Sequence, residues 1–198
     1  TEVRAYYVAS EFQPEFEKKD ALRLAEELGA DIQILPVQVL CDPTVSSNPA
    51  DRCYYCKKQI FAAIVRAAAE DGFTMILDGS NASDDAGDRS GMRVLKEMSV
   101  RSPLRECGLT KAQIRELSKE VGLFTWNKPA YACLATRIPT GEEITIEKLR
   151  ATELAEDYLF SLGFTDFRVR SQNGHARLQV PEEQIQTVLA YRTDILDK

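Results

Sequence analysis

"VRAYYVASEFQPEFEKKDALRLAEELGADIQILPVQVL", residues 3–40, decides the fold class. Its opening, "VRAYYVAS", is rich in β-branched and aromatic residues and predicts a strand. "QPEFEKKDALRLAEELG" predicts a helix, with Pro14 at its start and Gly29 as its stop. Ala21, Leu24, Ala25 and Leu28 recur at helical spacing and form the stripe to be buried. "DIQILPVQVL" predicts a second strand. Strand, helix and strand in succession are the signature of an α/β parallel sheet, in which ligands bind beyond the carboxyl ends of the strands.

Beyond this unit, "CDPTVSSNPAD" reads as a loop, and a long helix is predicted from Arg52 to Asp71. "FTMILDGSN" reads as a buried strand opening into a polar loop, which puts "DGSNASDDAGDRSG", residues 78–91, at the functional edge. "LTKAQIRELSKEVG" predicts a helix with a Thr110–Gln113 capping box and Gly122 as terminator. The pattern changes after "RIPTGEE". Thr145 caps a helix running to Leu162, with Leu149, Leu154 and Leu159 among its apolar positions. "DFRVRSQNGHARLQV" predicts a hairpin around Asn173-Gly174, a pair suited to a type I′ turn. A final helix starts near Pro181. The chain thus divides into an α/β unit over residues 1–139 and a small α+β lobe over 140–198.

Composition narrows the function. The 44% apolar and 28% charged fractions are those of a soluble globular protein, and no apolar run reaches the length of a spanning helix. The start lacks the features of a signal peptide, so the chain reads as cytoplasmic with no membrane partner. A net charge of −6 argues against nucleic acid as a partner, yet leaves room for a local basic pocket for one phosphorylated ligand. His175 is the single histidine, so the chemistry falls to Cys, carboxylates, Lys or Arg. Five cysteines (41, 53, 56, 107 and 133) are an odd set, which favours metal or thiol chemistry over a disulfide framework.

The motifs keep two readings each. In "DRCYYCKKQIF", Cys53 and Cys56 lie one turn apart on the helix face shared with Ile60. They are either core filling or ligands. A structural zinc site wants four ligands and finds no second Cys pair. Cys133, in "KPAYACLATRIP", would make three thiols, a set that suits an iron–sulfur cluster with one open iron; Cys41 and Cys107 are spare candidates. Neighbouring cations favour thiolate. In the 78–91 loop, Asp78, Asp84, Asp85 and Asp88 could hold Mg²⁺ near phosphates, with Arg89 on a phosphate or a carboxylate; the other reading is a solvated acidic loop. Arg168, Arg170 and, across the hairpin, Arg177 can share one face. They form either an ordinary charged hairpin or an anion pocket for a substrate phosphate, closed by Lys57 and Arg137 from the first unit.

Taken in order, "RCYYCKKQIF", "DGSNASDDAGDRSGM", "SPLRECGLTKAQIRELSKEVGL", "NKPAYACLATRIPTGEEIT" and "LGFTDFRVR…ARLQV" resemble the LarE-type ATP-dependent sulfur transferases of the PP-loop superfamily. The resemblance implies a PP-loop (adenine nucleotide alpha hydrolase-like) sheet domain and a role in making the nickel-pincer nucleotide cofactor. It implies ATP and Mg²⁺ as requirements, a pyridinium mononucleotide whose carboxylate is adenylated and then thiolated, and a sulfide donor. One branch of that family sacrifices a single cysteine, and another carries three cysteines on a [4Fe–4S] cluster. Cys53, Cys56 and Cys133 match the second, which makes them metal ligands and Cys133 catalytic. By the same carry-over Lys57, Glu156, Arg168 and Arg170 contact the mononucleotide or support catalysis, Glu156 being taken as catalytic; the reading of the residues adds Arg137 to the substrate contacts and gives Asp78, Asp84, Asp88 and Arg89 to the nucleotide and metal. A homo-oligomer is the expected assembly. The family's SGGxDS phosphate loop and its closing strands are absent, so the chain reads as truncated at both ends; Ser90 replaces a usual proline and Gln179 a usual glutamate. The rival readings are a non-catalytic metal-binding fragment and a PP-loop tRNA thiolation enzyme.

Overall fold

The structure is a computed structural model that describes residues 2–84, 89–172 and 174–197, with Arg89 and Ser90 described by their backbone alone. Strand β1 (Ala5–Ala9) pairs in parallel with β2 (Ile32–Pro36), Ala5 opposite Ile32 and Ala9 opposite Pro36. Helix α1 (Glu15–Leu28) connects them. Gly29 ends α1 in the left-handed region at φ 60°, its N–H bonded back to the Ala25 and Glu26 carbonyls, as the sequence predicts. Ala25 is buried but Leu28 is exposed, so the buried stripe stops a turn short of the helix end.

The stretch expected as a loop contains α2 (Pro43–Ser46), because Asp42 accepts from the Thr44 amide at 2.8 Å and Pro43 supplies a preset first turn. Helix α3 (Arg52–Glu70) follows as expected. The buried strand expected over residues 73–77 does not form. Among the described residues it has one parallel bridge, Leu77 to Arg101, and Met75 and Leu77 are 59% and 51% exposed. An apolar β-rich run becomes a strand only where a ladder partner and a covering layer exist, and here one residue of partner is supplied.

Helices α4 (Arg89–Glu97), α5 (Pro103–Glu106) and α6 (Lys111–Glu120) come next, and the Thr110–Gln113 capping box is present in full. A single turn of 3₁₀ helix covers Leu134–Arg137. Helix α7 (Ile146–Ser161) is capped by Thr145, which accepts from the Lys148 amide at 3.3 Å. Leu149 and Leu159 are buried, whereas Leu154 faces solvent: five residues from each, it lies about 140° round the helix from either. Strands β3 (Arg168–Gln172) and β4 (His175–Gln179) pair antiparallel as the predicted hairpin, Arg170 opposite Arg177. Asn173, half of the expected turn, lies outside the described residues. The final helix is broken into α8 (Ile185–Ala190) and α9 (Arg192–Leu196). No helix among the described residues is long and apolar enough to cross a membrane.

Two cores hold this together. The first gathers Phe12, Val39, Cys56, Leu134, Ile144 and Leu149; the second gathers Leu159, Phe164, Phe167 and Val169. Asn48, buried and left-handed at φ 54°, donates from Nδ2 to the Ile138 and Pro139 carbonyls, and its own carbonyl accepts from Gly141. Residues on both sides of position 139 are therefore fastened to the first core, and α7 runs from the first core into the second.

Candidate functional site

Helix α3 and the Leu134–Arg137 turn meet at the first core, which holds Cys56 and has Cys133 packed against it, with Cys53 one turn before Cys56 on α3. Cys56 is buried in that core, with Ile60 and Cys133 packed against it. Burial pushes the Cys56 thiol up to about 12; the charge of Cys133 adds to this, Arg52 opposes it, and Cys53 adds further. Cys133 is also raised by burial, with Arg52 opposing and Cys53 adding. Of the three thiols, that of Cys53 is in contact with Arg52, whose Nη2 lies 3.5 Å from its Sγ. Cys41 and Cys107 are exposed.

The donor set suits a thiolate-ligated centre in its chemistry: three soft sulfurs and a buried cation whose Nε has no hydrogen-bond partner. The side chains as placed do not enclose an ion. Among the described residues no three His, Cys, Asp or Glu groups are arranged to hold one.

The same turn continues into a buried knot. Arg137 and Glu156, with side chains 0% and 1% exposed, form a bidentate pair: Nε to Oε1 at 2.8 Å and Nη2 to Oε2 at 3.0 Å. Glu156 also accepts from the Val169 amide at 2.8 Å and from the Tyr131 hydroxyl. Arg137 Nη1 donates to the Ala132 carbonyl at 3.0 Å and to Thr136 Oγ1 at 2.9 Å. Burial works to lower the Arg137 guanidinium, but the Glu156 bonds and charge outweigh it and hold it above its ordinary value. Tyr131 is raised by burial and by its bond to Glu156. The carboxylate of Glu156 is fully engaged, joining the 131–137 segment, α7 and β3.

On the far side of Arg137 is a cleft of about 350 Å³, lined by Thr136, Thr140, Arg170, Gln172 and Arg177 among others. None of its lining residues is acidic. Arg170 donates to the Thr136 carbonyl at 2.6 Å and to Gln179 Oε1 at 2.5 Å, both neutral acceptors that leave its charge uncompensated. Since Arg137 is balanced by Glu156, the cleft presents the two positive charges of Arg170 and Arg177. The cleft is cationic, and one short turn, Leu134–Arg137, separates it from Cys133.

The other predicted residues are placed differently. Arg168 lines a neighbouring apolar pocket with Phe16, Tyr131 and Phe160, its guanidinium bonded to the Phe167 and Ala130 carbonyls. Lys57 is half-buried on α3, a turn beyond Cys53, and is not among the residues that line the cleft. Asp78 accepts from the hydroxyls of Ser80 at 2.6 Å and Ser102 at 2.5 Å, and Asp84 accepts from the Asn81 amide at 2.7 Å. Both carboxylates thus shape their own loop. Asp85 and Asp88 lie outside the described residues, as does the side chain of Arg89. Sequence reasoning treated Arg52 only as a flanking cation and passed over Tyr131 and Thr136. No spacing signal could have found the bonds that tie them to other segments, because those partners are 25, 34 and 83 residues away.

No family model matches the chain. It is 36% identical over 189 residues to the pyridinium-3,5-bisthiocarboxylic acid mononucleotide synthase of Lactiplantibacillus plantarum, an alignment covering 96% of this chain and 68% of that protein. The chain belongs to this synthase family. Two further relatives of the LarE-type chain are uncharacterized proteins: one of Synechocystis sp., 39% identical over 170 residues (86% of this chain, 63% of that one), and one of Methanocaldococcus jannaschii, 25% identical over 198 residues (100% and 75%). The LarE-type chain therefore spans about two thirds to three quarters of the length of the relatives it matches. Its parallel sheet and mixed helices agree with the α/β, PP-loop-like fold expected from sequence.

Proposed function

We propose that the protein inserts sulfur into the carboxylate of a pyridinium mononucleotide, in an ATP-dependent reaction serving nickel-pincer cofactor biosynthesis. One observation carries the reading: a single turn, Leu134–Arg137, has the half-buried thiol of Cys133 at its start and a cationic cleft at its end. Sulfur transfer to a phosphorylated substrate needs that juxtaposition. A carboxylate resists nucleophilic attack, whereas an acyl-adenylate offers a good leaving group to a sulfur held beside the carbonyl carbon.

In this reading Arg170 and Arg177 bind the substrate phosphate, which fixes the distance from the phosphate to the sulfur. Arg137 and Glu156 act as positioning residues: their pair locks the turn that carries Cys133 to β3, which carries Arg170. Cys53, Cys56 and Cys133 would hold a [4Fe–4S] cluster, which when bound supplies sulfide at an open iron. Magnesium and the adenylating nucleotide are assigned to the loop beginning at Asp78. The relative's own name, a bisthiocarboxylic acid mononucleotide synthase, supports the substrate class.

The test is iron and sulfide analysis, with visible spectra, of protein purified without oxygen. Cys53→Ala, Cys56→Ala and Cys133→Ala are each expected to lose the iron. Iron retained by all three variants, or one bound zinc with no iron in the unaltered chain, would defeat the cluster assignment.

A further inference from the structure

Arg170 and Arg177 stand directly opposite each other across the β3–β4 hairpin. Side chains so opposed point to one face of the hairpin, about 5 Å apart at Cβ, and like charges placed there repel. Among the described residues neither guanidinium pairs with a carboxylate, whereas Arg168, two residues along the same face, has Asp166 Oδ1 at 3.7 Å. What holds Arg170 is neutral. Its Nη1 donates to the Thr136 carbonyl at 2.6 Å and its Nε to Gln179 Oε1 at 2.5 Å, a diagonal contact, since Gln179 is opposite Arg168. Arg170 Nη2 forms no bond to the described residues.

Gln179 is exposed and is not among the residues that line the cleft, so it reaches the cleft through Arg170. An amide at this place fixes the direction of the guanidinium and takes nothing from its charge. A carboxylate there would pair with Arg170 and leave the cleft the charge of Arg177 alone. The repulsion between Arg170 and Arg177 is therefore left standing in the fold, and a ligand with two negative charges relieves it. A phosphate monoester is such a ligand, because its second pKa is about 6 and it is close to a dianion at pH 8. We infer that Gln179 is a specificity-determining residue: by holding Arg170 with a neutral amide it reserves both charges of the cleft for a doubly ionised phosphate, and so sets the preference for a mononucleotide over its nucleoside. Acting through Arg170, it is a positioning residue. The inference rests on the phosphate-binding reading of the cleft.

Calorimetry on the full chain at pH 8 is the test, with nicotinic acid mononucleotide as the probe and its phosphate-free nucleoside as the control. Gln179→Glu is expected to bind the mononucleotide about tenfold more weakly, with a shallower dependence on ionic strength, and to leave nucleoside binding unchanged. The same variant is expected to melt at the same or a higher temperature, because the new carboxylate relieves the opposed charges. A merely structural residue would lose affinity and stability together. Gln179→Met, neutral and similar in length, is expected to stay within about threefold of the unaltered chain for the mononucleotide. Equal affinity in Gln179→Glu, with Arg170→Ala weakened, overturns the role of Gln179 and leaves the cleft reading standing. A loss in Gln179→Met as large as that in Gln179→Glu also overturns it, since the effect would then follow the bond and not the charge. Equal affinity in Arg170→Ala, or no binding by the unaltered chain, overturns the cleft reading and the role of Gln179 with it.

Discussion

At the scale of single residues, burial sorts groups that look alike in the sequence. Of the five cysteines, Cys41 and Cys107 are exposed, while Cys56 is buried and its thiol pushed up to about 12. At pH 8 Cys56 is therefore almost wholly the protonated, unreactive form, and its thiolate fraction grows only as pH rises toward 12. Iodoacetamide applied to the reduced, metal-free protein should label Cys41 and Cys107 first and Cys56 last, as read by peptide mass mapping; early labelling of Cys56 would refute its burial. Glu156 is a second case. The resemblance implied a part in catalysis for it, and in the fold four hydrogen bonds from Arg137, Tyr131 and Val169 occupy its carboxylate. Breaking a buried pair leaves an uncompensated charge, so Glu156→Ala should cost about 3–5 kcal/mol in denaturant unfolding. A loss under about 1 kcal/mol would mean that the pair is not closed as described.

At the scale of elements, local signals were read correctly wherever the physics is local. Gly29 at φ 60°, the Thr110–Gln113 box and the Thr145 cap each depend on residues within a few positions of one another. Thr110→Ala should accordingly destabilise α6 by about 1 kcal/mol, visible as a shift in the denaturant midpoint with unchanged slope. The errors lie where a segment's state depends on remote partners. Residues 73–77 carry strand-forming side chains but find one bridge, and Leu28 and Leu154 carry apolar side chains with nothing over them. Apolar spacing says that a face can be buried; it does not say what is there to bury it. The Asp78 loop was open to two readings, a metal site or a solvated acidic loop; its described carboxylates Asp78 and Asp84 accept from Ser80, Ser102 and Asn81, and Asp85 and Asp88 lie outside the described residues.

At the scale of the whole molecule, the proposed function depends on one segment, residues 131–137, touching α3, α7 and the hairpin at once. Arg170→Ala and Arg177→Ala should each weaken binding of a phosphate-bearing pyridinium mononucleotide by about tenfold, about 1.4 kcal/mol, in calorimetry, while leaving thermal stability nearly unchanged for the exposed Arg177. Equal affinity in both variants would remove the cleft from substrate binding. The sequence by itself determined the α/β class, the helix caps, the hairpin and the three-cysteine pattern, because these follow from spacing, turn chemistry and residue type along a continuous stretch. Only the tertiary structure decided that Glu156 is enclosed by Arg137, that Arg168 and Arg170 face different pockets, and that Arg52 is buried against Asn48, the Ala135 carbonyl and Cys53. Those facts turn on which remote groups share a desolvated volume, where an unmatched charge is costly, and no pattern along the chain encodes that proximity.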